Sequence, residues 1–277
     1  MTKDLIKKKY HQKINLINNY NQKYYNESIS KITDESYDIL KKEIIDLENN
    51  YNFLKDQNSP SITVGHKPSK NFKKIPHKVP MLSLANAFSE DDLQNFEKKI
   101  LNYLDKTSQF EIEFSAEPKI DGISASLIYE NGKLIKGLSR GDGTEGEDIT
   151  SNLKTIDDIP HFISENNFPK EIDIRGEVYI QNSDFEKLKN KFANPRNAAS
   201  GSLRQKDHKE TKKIPLKFIA YTYGFENGMQ IYNQVDFLKQ LYKWGFKTNP
   251  LNKLIKKTKN LMQNYFAIEK KRNRINF

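Results

Sequence analysis

ISASLIYENGKLIKGLSR, residues 123–140, is the stretch on which the fold turns. Two runs of alternating apolar and polar residues flank Asn131-Gly132. Asn-Gly suits the two successive positive φ angles of a type I′ turn, so the stretch predicts a tight β-hairpin. Further runs of the same texture lie on either side. FEIEFSA at 110–116, EIDIRGEVYI at 171–180 and IPLKFIAYTYGF at 214–225 all read as strands. SDFEKLKNKF at 183–192 opens on Ser183, a good helix cap, and reads as a helix. Residues 231–244 and 254–271 also carry helical patterns. Strands joined by hairpins, with helices between them, predict an α+β domain built on a mainly antiparallel sheet, not a doubly wound one.

The first part of the chain has a different texture. Residues 3–26 place Ile6, Tyr10, Ile14 and Ile17 on one helical face. A second helix, capped by Thr33 or Asp34, repeats Tyr37, Leu40, Ile44, Leu47, Tyr51 and Leu54 at steps of three or four. DQNSPSITVGHKPSK at 56–70 is rich in Pro, Ser, Gly and Lys and reads as a linker. The expected organisation is a small helical domain at 1–68 followed by the α+β domain at 69–277. No internal repeat is evident.

Composition limits the function. The 277 residues include 46 Lys+Arg against 36 Asp+Glu, a formal net charge of +10, which favours polyanionic partners such as nucleic acid or nucleotide phosphates. The chain has no cysteine, so a disulfide framework, a Cys-ligated zinc site and a thiol nucleophile are excluded within it. No apolar run reaches the ~18 residues that a membrane span needs, and the N-terminus has no signal-like apolar region. The expectation is a cytoplasmic monomer with no membrane partner.

Gly141-Asp142-Gly143-Thr144-Glu145-Gly146 fits G-x-G-x-x-G after a strand. Its context argues against a dinucleotide fold. The preceding strand is the second arm of a hairpin, and Glu147-Asp148 follow where a pyrophosphate would have to sit. A glycine-rich turn that carries Arg140 toward a ligand is the better reading.

Lys119-Ile120-Asp121-Gly122 sits between the strand at 110–116 and the hairpin, where a lysine can project into a cleft. An ordinary lysine amine is neutral in only about one molecule in a thousand at pH 7.5. Nearby cations or desolvation raise that fraction, and a two-unit fall in pKa corresponds to ~3 kcal/mol. Arg140, Arg196 and Arg204 are candidate cations that also suit bidentate phosphate contacts. Four residues of this kind are common by chance, and a surface lysine before an Asp-Gly turn is the plain alternative.

The match does not stand alone. PMLSLANAF at 80–88, EPKIDG at 117–122, RGDGTEGEDITSN at 140–152, RGEV at 175–178 and FANPRNAASGSLRQ at 192–205 occur in order. With ITDESYD at 32–38 and Tyr24-Tyr25 upstream, the sequence closely resembles the bacterial NAD-dependent DNA ligases over nearly its whole length. The resemblance implies an ATP-grasp-like nucleotidyltransferase (adenylation) domain behind a helical domain that binds nicotinamide mononucleotide. It implies that Lys119 attacks NAD to form lysine-AMP, with Asp121 ordering the nucleotide. Ser83, Leu84 and Glu117 are then expected on the adenine side. Arg140 and Glu177 are expected at the ribose and phosphates, and Tyr24, Tyr25, Asp34, Tyr37 and Asp38 around the nicotinamide half. Arg196, Arg204 and Arg272 are expected to contact nicked duplex DNA, and Mg²⁺ is expected, with no residue marked as its ligand.

Two departures from the family pattern stand out. Tyr25 occupies a place commonly held by histidine, which keeps a ring but loses the imidazole. The given sequence ends at Phe277, before the family's D-x-D-G-x-V-I-K block and its later DNA-gripping domains. The corresponding expectation is NAD binding and slow self-adenylation without efficient nick sealing. Two rivals remain at this point. One is an ATP-dependent ligase or capping-type nucleotidyltransferase, which shares K-x-D-G. The other is an inactive fragment that binds NAD or DNA without ligation.

Overall fold

The computed structural model of the chain describes residues 2–27, 31–54, 56, 59 and 72–277, and the side chains of residues 24–27, 34 and 273 fall outside that description. The side chains of Tyr24, Tyr25 and Asp34, most of the 56–70 linker and the boundary near 68 therefore lie outside the described residues.

Two helices open the chain, α1 (Lys3–Glu27) and α2 (Asp34–Asn50). Thr33 is the cap of α2, its side chain accepting from the Ser36 amide at 3.2 Å. The two apolar stripes meet in a core of Ile6, Tyr10, Ile14 and Ile17 against Leu40, Ile44 and Leu54, with Tyr37, Leu47 and Tyr51 packed on it. The pairing is registered by polar contacts across it. The Tyr10 hydroxyl donates to Glu48 Oε1 at 2.6 Å, and Lys13 Nζ meets Glu43 Oε2 at 2.5 Å.

The remaining described elements follow in order. They are β1 (Lys74–Pro76), α3 (Glu90–Tyr103), β2 (Glu113–Ala116), β3 (Ile123–Glu130), β4 (Lys133–Ser139), β5 (Glu145–Glu147), α4 (Thr150–Leu153) and β6 (Glu171–Ile180). Then come α5 (Asn182–Phe185), α6 (Pro195–Leu203), α7 (His208–Lys212), β7 (Leu216–Asn227), α8 (Gln234–Lys243), β8 (Lys253–Lys256) and α9 (Thr258–Glu269). The main sheet has the order β4-β3-β6-β7, and every neighbouring pair is antiparallel. Two small antiparallel pairs, β1 with β5 and β2 with β8, flank it. The chain is therefore α+β, as the strand pattern predicted. At the hairpin tip Asn131 has φ 48° and Gly132 φ 76°, the positive pair a type I′ turn requires.

β6 lies between β3 and β7, which is why it is buried along almost its whole length despite four charged residues. Leu127, Tyr129, Ile172, Ile174 and Phe218 fill the core with Phe237, Trp244 and Phe246 from the chain's last third. The ring of Tyr129 stacks edge-on against Phe168 and Phe246, while its hydroxyl donates to the Pro160 carbonyl at 2.6 Å.

Three sequence expectations need correction. The helix expected at 183–192 is only the four residues of α5, with Ser183 inside it and Gln181 at the cap position. The segment continues as turns, with Leu188 bonding back to Phe185 and Lys191 to Leu188, because Phe185, Leu188 and Phe192 must all reach the same core. The helix expected at 254–271 begins later, since Leu254 and Ile255 belong to β8 and pair with Ser115 and Phe114. The strand expected at 110–116 is limited to β2 at its C-terminal end. Three elements carried signals that had no place in the sequence reading. Ser89 and Asp92 form a capping box for α3, Asn194-Pro195 caps and opens α6, and β1 pairs with β5 inside the glycine-rich block. Among the described residues no helix is long and apolar enough to cross a membrane.

Replacing Leu127 by Ala should lower the unfolding free energy by about 2–5 kcal/mol, since a fully buried side chain leaves a cavity at the sheet centre. Leu84→Ala, at a side chain 76% exposed, should change it by no more than ~0.5 kcal/mol. Urea titration of the two variants beside the wild type measures both.

Candidate active site

Lys119 lies in the short turn between β2 and β3, on the exposed side, directly before buried Ile120. That alternation anchors the turn. Ile120 packs with Tyr179, Ile219 and Phe277 beneath the sheet edge, so the neighbouring lysine points outward. The Pro118 carbonyl accepts from Asn249 Nδ2 at 3.3 Å, which fixes the other side of the turn. Gly122 completes it for a steric reason. A Cβ there would stand 2.2 Å from the Val178 carbonyl oxygen and 2.9 Å from Glu177 Cγ, so only glycine lets the turn close onto β6.

The register then brings in Glu177. Ser124 on β3 faces Glu177 on β6, and its hydroxyl donates to Glu177 Oε2 at 2.9 Å. Burial pushes the Glu177 carboxyl up to about 7, against the opposing pull of Ser124, Arg196 and Lys119. Arg196, in the first turn of α6, reaches Asp121 Oδ1 with Nη1 at 3.3 Å. Lys119, Asp121, Glu177 and Arg196 are thus gathered where β3 begins beside the end of β6, from three places in the sequence. The ring of Tyr221 on β7 joins them. Its hydroxyl is pushed up to about 12 by burial and lies within electrostatic reach of Glu177, Arg175 and Arg140. Sequence reasoning did not single out Tyr221. Its one signal was a tyrosine within the strand IAYTYGF, which β-propensity alone explains.

A second group is held by Arg175. This side chain is 9% exposed and Asp173 is 7% exposed, and the Arg175 Nε and Nη2 donate to Asp173 Oδ2 at 3.1 and 2.9 Å. Nη1 also donates to the Pro80 carbonyl at 3.1 Å, and Nη2 to that of Val79. The segment 79–84 is pinned in this way, and Arg140 reads its next residues. Arg140 Nε donates to the Met81 carbonyl at 3.3 Å and Nη2 to Ser83 Oγ at 2.9 Å. Ser83 and Leu84 therefore lie exposed just beyond this pinned stretch, Ser83 beside Arg140. Glu117 stands at the exit of β2, where Ser115 and Gln234 both donate to its Oε1 at 2.8 Å.

The glycine-rich block is a self-contained turn. Asp142 Oδ1 accepts from the Thr144 and Glu145 amides at 2.9 and 3.0 Å, and Gly146 lies in β5, not in a helix. Gly141 and Gly143 have φ of 57° and 92°, so the block bends the chain back under Arg140.

The other expected residues are placed as follows. Tyr37 and Asp38 lie on α2, Tyr37 packed on the helical core with its hydroxyl donating to Asn21 Oδ1 at 2.9 Å. Arg204 Nε meets the fully buried Glu147 at 3.1 Å, so this arginine also has a structural partner. Arg272 is exposed on a 3₁₀ turn near the end of the chain. For Mg²⁺, no three acidic or histidine side chains converge to hold a metal among the described residues. The described side chains thus do not build a cage for the ion, and no chemical step below is routed through one.

Known protein families resemble the chain over most of its length. Residues 69–277 match the family model described as "NAD-dependent DNA ligase adenylation domain", and residues 3–65 match "DNA ligase-like, N-terminal NAD+-binding domain". The antiparallel sheet therefore belongs to an adenylation domain of the ligase class. Proteins named DNA ligase are similar to it. The one from Pelagibacter ubique is 64% identical over 268 residues, covering 97% of this chain and 40% of that protein. The one from Bradyrhizobium sp. is 44% identical over 262 residues, covering 92% of this chain and 37% of its own length. The chain belongs to the NAD-dependent DNA ligase family. It spans 40% or less of the length of these two relatives.

The raised Glu177 carboxyl has a measurable consequence. Between about 4.5, its ordinary value, and about 7 the unfolded chain has lost this proton while the folded chain keeps it. Its contribution to stability therefore falls as pH rises through that window and is constant above it. Glu177→Gln, which cannot ionise, should gain on the wild type between pH 5 and pH 8, by at most on the order of 3 kcal/mol. Parallel urea titrations at the two pH values test this, and an identical pH slope in both proteins would refute it.

Proposed function

We propose that the chain is the adenylation module of an NAD-dependent DNA ligase, and that Lys119 is its covalent nucleophile. The neutral Nζ of Lys119 attacks the adenylyl phosphorus of NAD. A P–N bond forms, the bond from that phosphorus to the bridging pyrophosphate oxygen breaks, and its electron pair leaves on nicotinamide mononucleotide. The extra proton on Nζ passes to solvent. The product is a lysine-AMP phosphoramidate, whose adenylyl group is the one passed to a 5′-phosphate at a nick.

One observation carries this reading. A lysine set at a strand exit by a buried isoleucine and a sterically obligatory glycine stands beside Asp121, Glu177 and Arg196. Orienting groups of this kind lower the cost of bringing a nucleophile and a phosphate into line. The Arg140 guanidinium, oriented by Met81 and Ser83, suits the anionic pyrophosphate. Exposed Leu84 and the carboxylate of Glu117 suit an adenine ring, and Tyr24, Tyr25, Asp34, Tyr37 and Asp38 the nicotinamide half. Arg196, Arg204 and Arg272 are assigned to the phosphates of nicked duplex DNA, whose binding weakens steeply with salt. Mg²⁺ carried in on the nucleotide phosphates needs no protein cage of its own.

Incubating the chain with NAD and weighing the intact protein tests the reading. The expected result is a mass gain of one adenylyl group on the wild type and none on Lys119→Ala. ATP in place of NAD should give no adduct. An adduct formed from ATP but not from NAD would assign the chain to the ATP-using branch instead.

A further inference from the structure

The side chain of Gln234 occupies an unusual position for the first residue of a helix. Asn233 caps α8, so Gln234 is not needed at that end, and its amide reaches instead into the sheet. Nε2 donates to Glu117 Oε1 at 2.8 Å and to the backbone carbonyl of Tyr221 at 2.6 Å. An amide nitrogen has two hydrogens, and both are used. The orientation is also unambiguous, because turning the amide over would set its oxygen against two acceptors.

The consequence falls on Glu117. Its Oε1 accepts from two donors, Gln234 and Ser115, whereas Oε2 accepts from no described residue. The carboxylate is thus held with one oxygen saturated by the protein and the other left to accept. Such a group favours a ligand edge that offers an N–H and disfavours one that offers a carbonyl oxygen. Gln234 also ties Glu117 to the strand position of Tyr221, whose ring is part of the Lys119 site. We infer that Gln234 is a positioning residue. By saturating Glu117 Oε1 it turns Oε2 into a fixed acceptor for an exocyclic base amine, and so sets selection of adenine over its oxo counterpart. This inference rests on the reading above, in which the adenylyl half of NAD binds beside Glu117.

The test compares self-adenylation of the full chain with NAD and with nicotinamide hypoxanthine dinucleotide, in which the base amine is replaced by an oxo group. Lysine-nucleotide formation is followed by intact mass over time at several dinucleotide concentrations. In the wild type NAD should be preferred by on the order of tenfold or more, the scale of one hydrogen bond to a charged group. Gln234→Leu should lower that preference several-fold. It should do so mainly by raising the NAD concentration needed for half-maximal rate, with the rate at saturation kept within about twofold. Gln234→Met keeps the unbranched stem and deletes only the amide, so it decides the matter should the leucine variant prove unfolded by circular dichroism. An unchanged preference in a folded variant overturns the role of Gln234 alone. An equal loss with both dinucleotides also overturns it, as that is what a merely structural role would give. Failure of the wild type to form any adduct with NAD overturns the adenylation reading itself, and this inference with it.

Discussion

The site depends first on a buried charge. Arg175 sits in the middle of the central strand with its guanidinium withdrawn from water, and several donors of that fork are spent on Asp173 and on the carbonyls of Val79 and Pro80. Removing an ion from water costs several kcal/mol unless its partners are well placed, so this arrangement is weak as a source of stability and strong as a source of geometry. It forces one path on a segment that has no secondary structure of its own. Space for it is provided by Gly224, where a Cβ would stand 2.2 Å from Nη2. The next layer follows from the first, because Met81 and Ser83 can orient Arg140 only once Val79 and Pro80 are fixed.

Arg196 and Arg204 differ in the carboxylate each one faces. Arg196 is paired with Asp121, a side chain 61% exposed, and an exposed pair of this kind is worth about 0–1 kcal/mol. That pair by itself does little to hold the guanidinium in place. Arg204 is paired with Glu147, which is 0% exposed, and moving it away strips a buried carboxylate of a partner. The formal charge of +10 therefore understates the organisation of the site. What distinguishes these cations is the acceptor each one already faces.

Much of this was legible in the sequence where the chain states its own geometry. Asn131-Gly132 fixed a turn, and the alternation of 171–180 gave a strand with the observed bounds, because local φ preferences and period-two burial act over a few residues. The apolar stripe from Tyr37 to Leu54 was likewise readable and does pack as one face. Failures came where distant packing decided. Leu254 and Ile255 look helical beside their downstream neighbours, yet the free edge of β2 draws them into a strand. Residues 183–192 look like a helix, yet three core-seeking side chains hold them in successive turns. At the site, K-x-D-G marked Lys119, and the ordered blocks marked Arg140, Glu177 and Arg196. Tyr221 and Gln234 escaped because their significance is relational. Nothing in their own neighbourhoods shows that β7 and α8 come to lie beside the exit of β2.

The Arg175 fork also bears on the order in which the molecule forms. Val79 and Pro80 find their partner 96 and 95 positions later in the chain. Closing a loop of that length costs on the order of 4 kcal/mol in chain entropy before any contact repays it. The hairpin at 123–139, by contrast, closes over two residues. Local elements therefore form early, and the segment carrying Ser83 settles only after the central strand exists. During synthesis this segment emerges nearly a hundred residues ahead of the arginine that pins it. A chain interrupted before β6 therefore lacks the guanidinium that pins this segment, however much of the hairpin it has already formed.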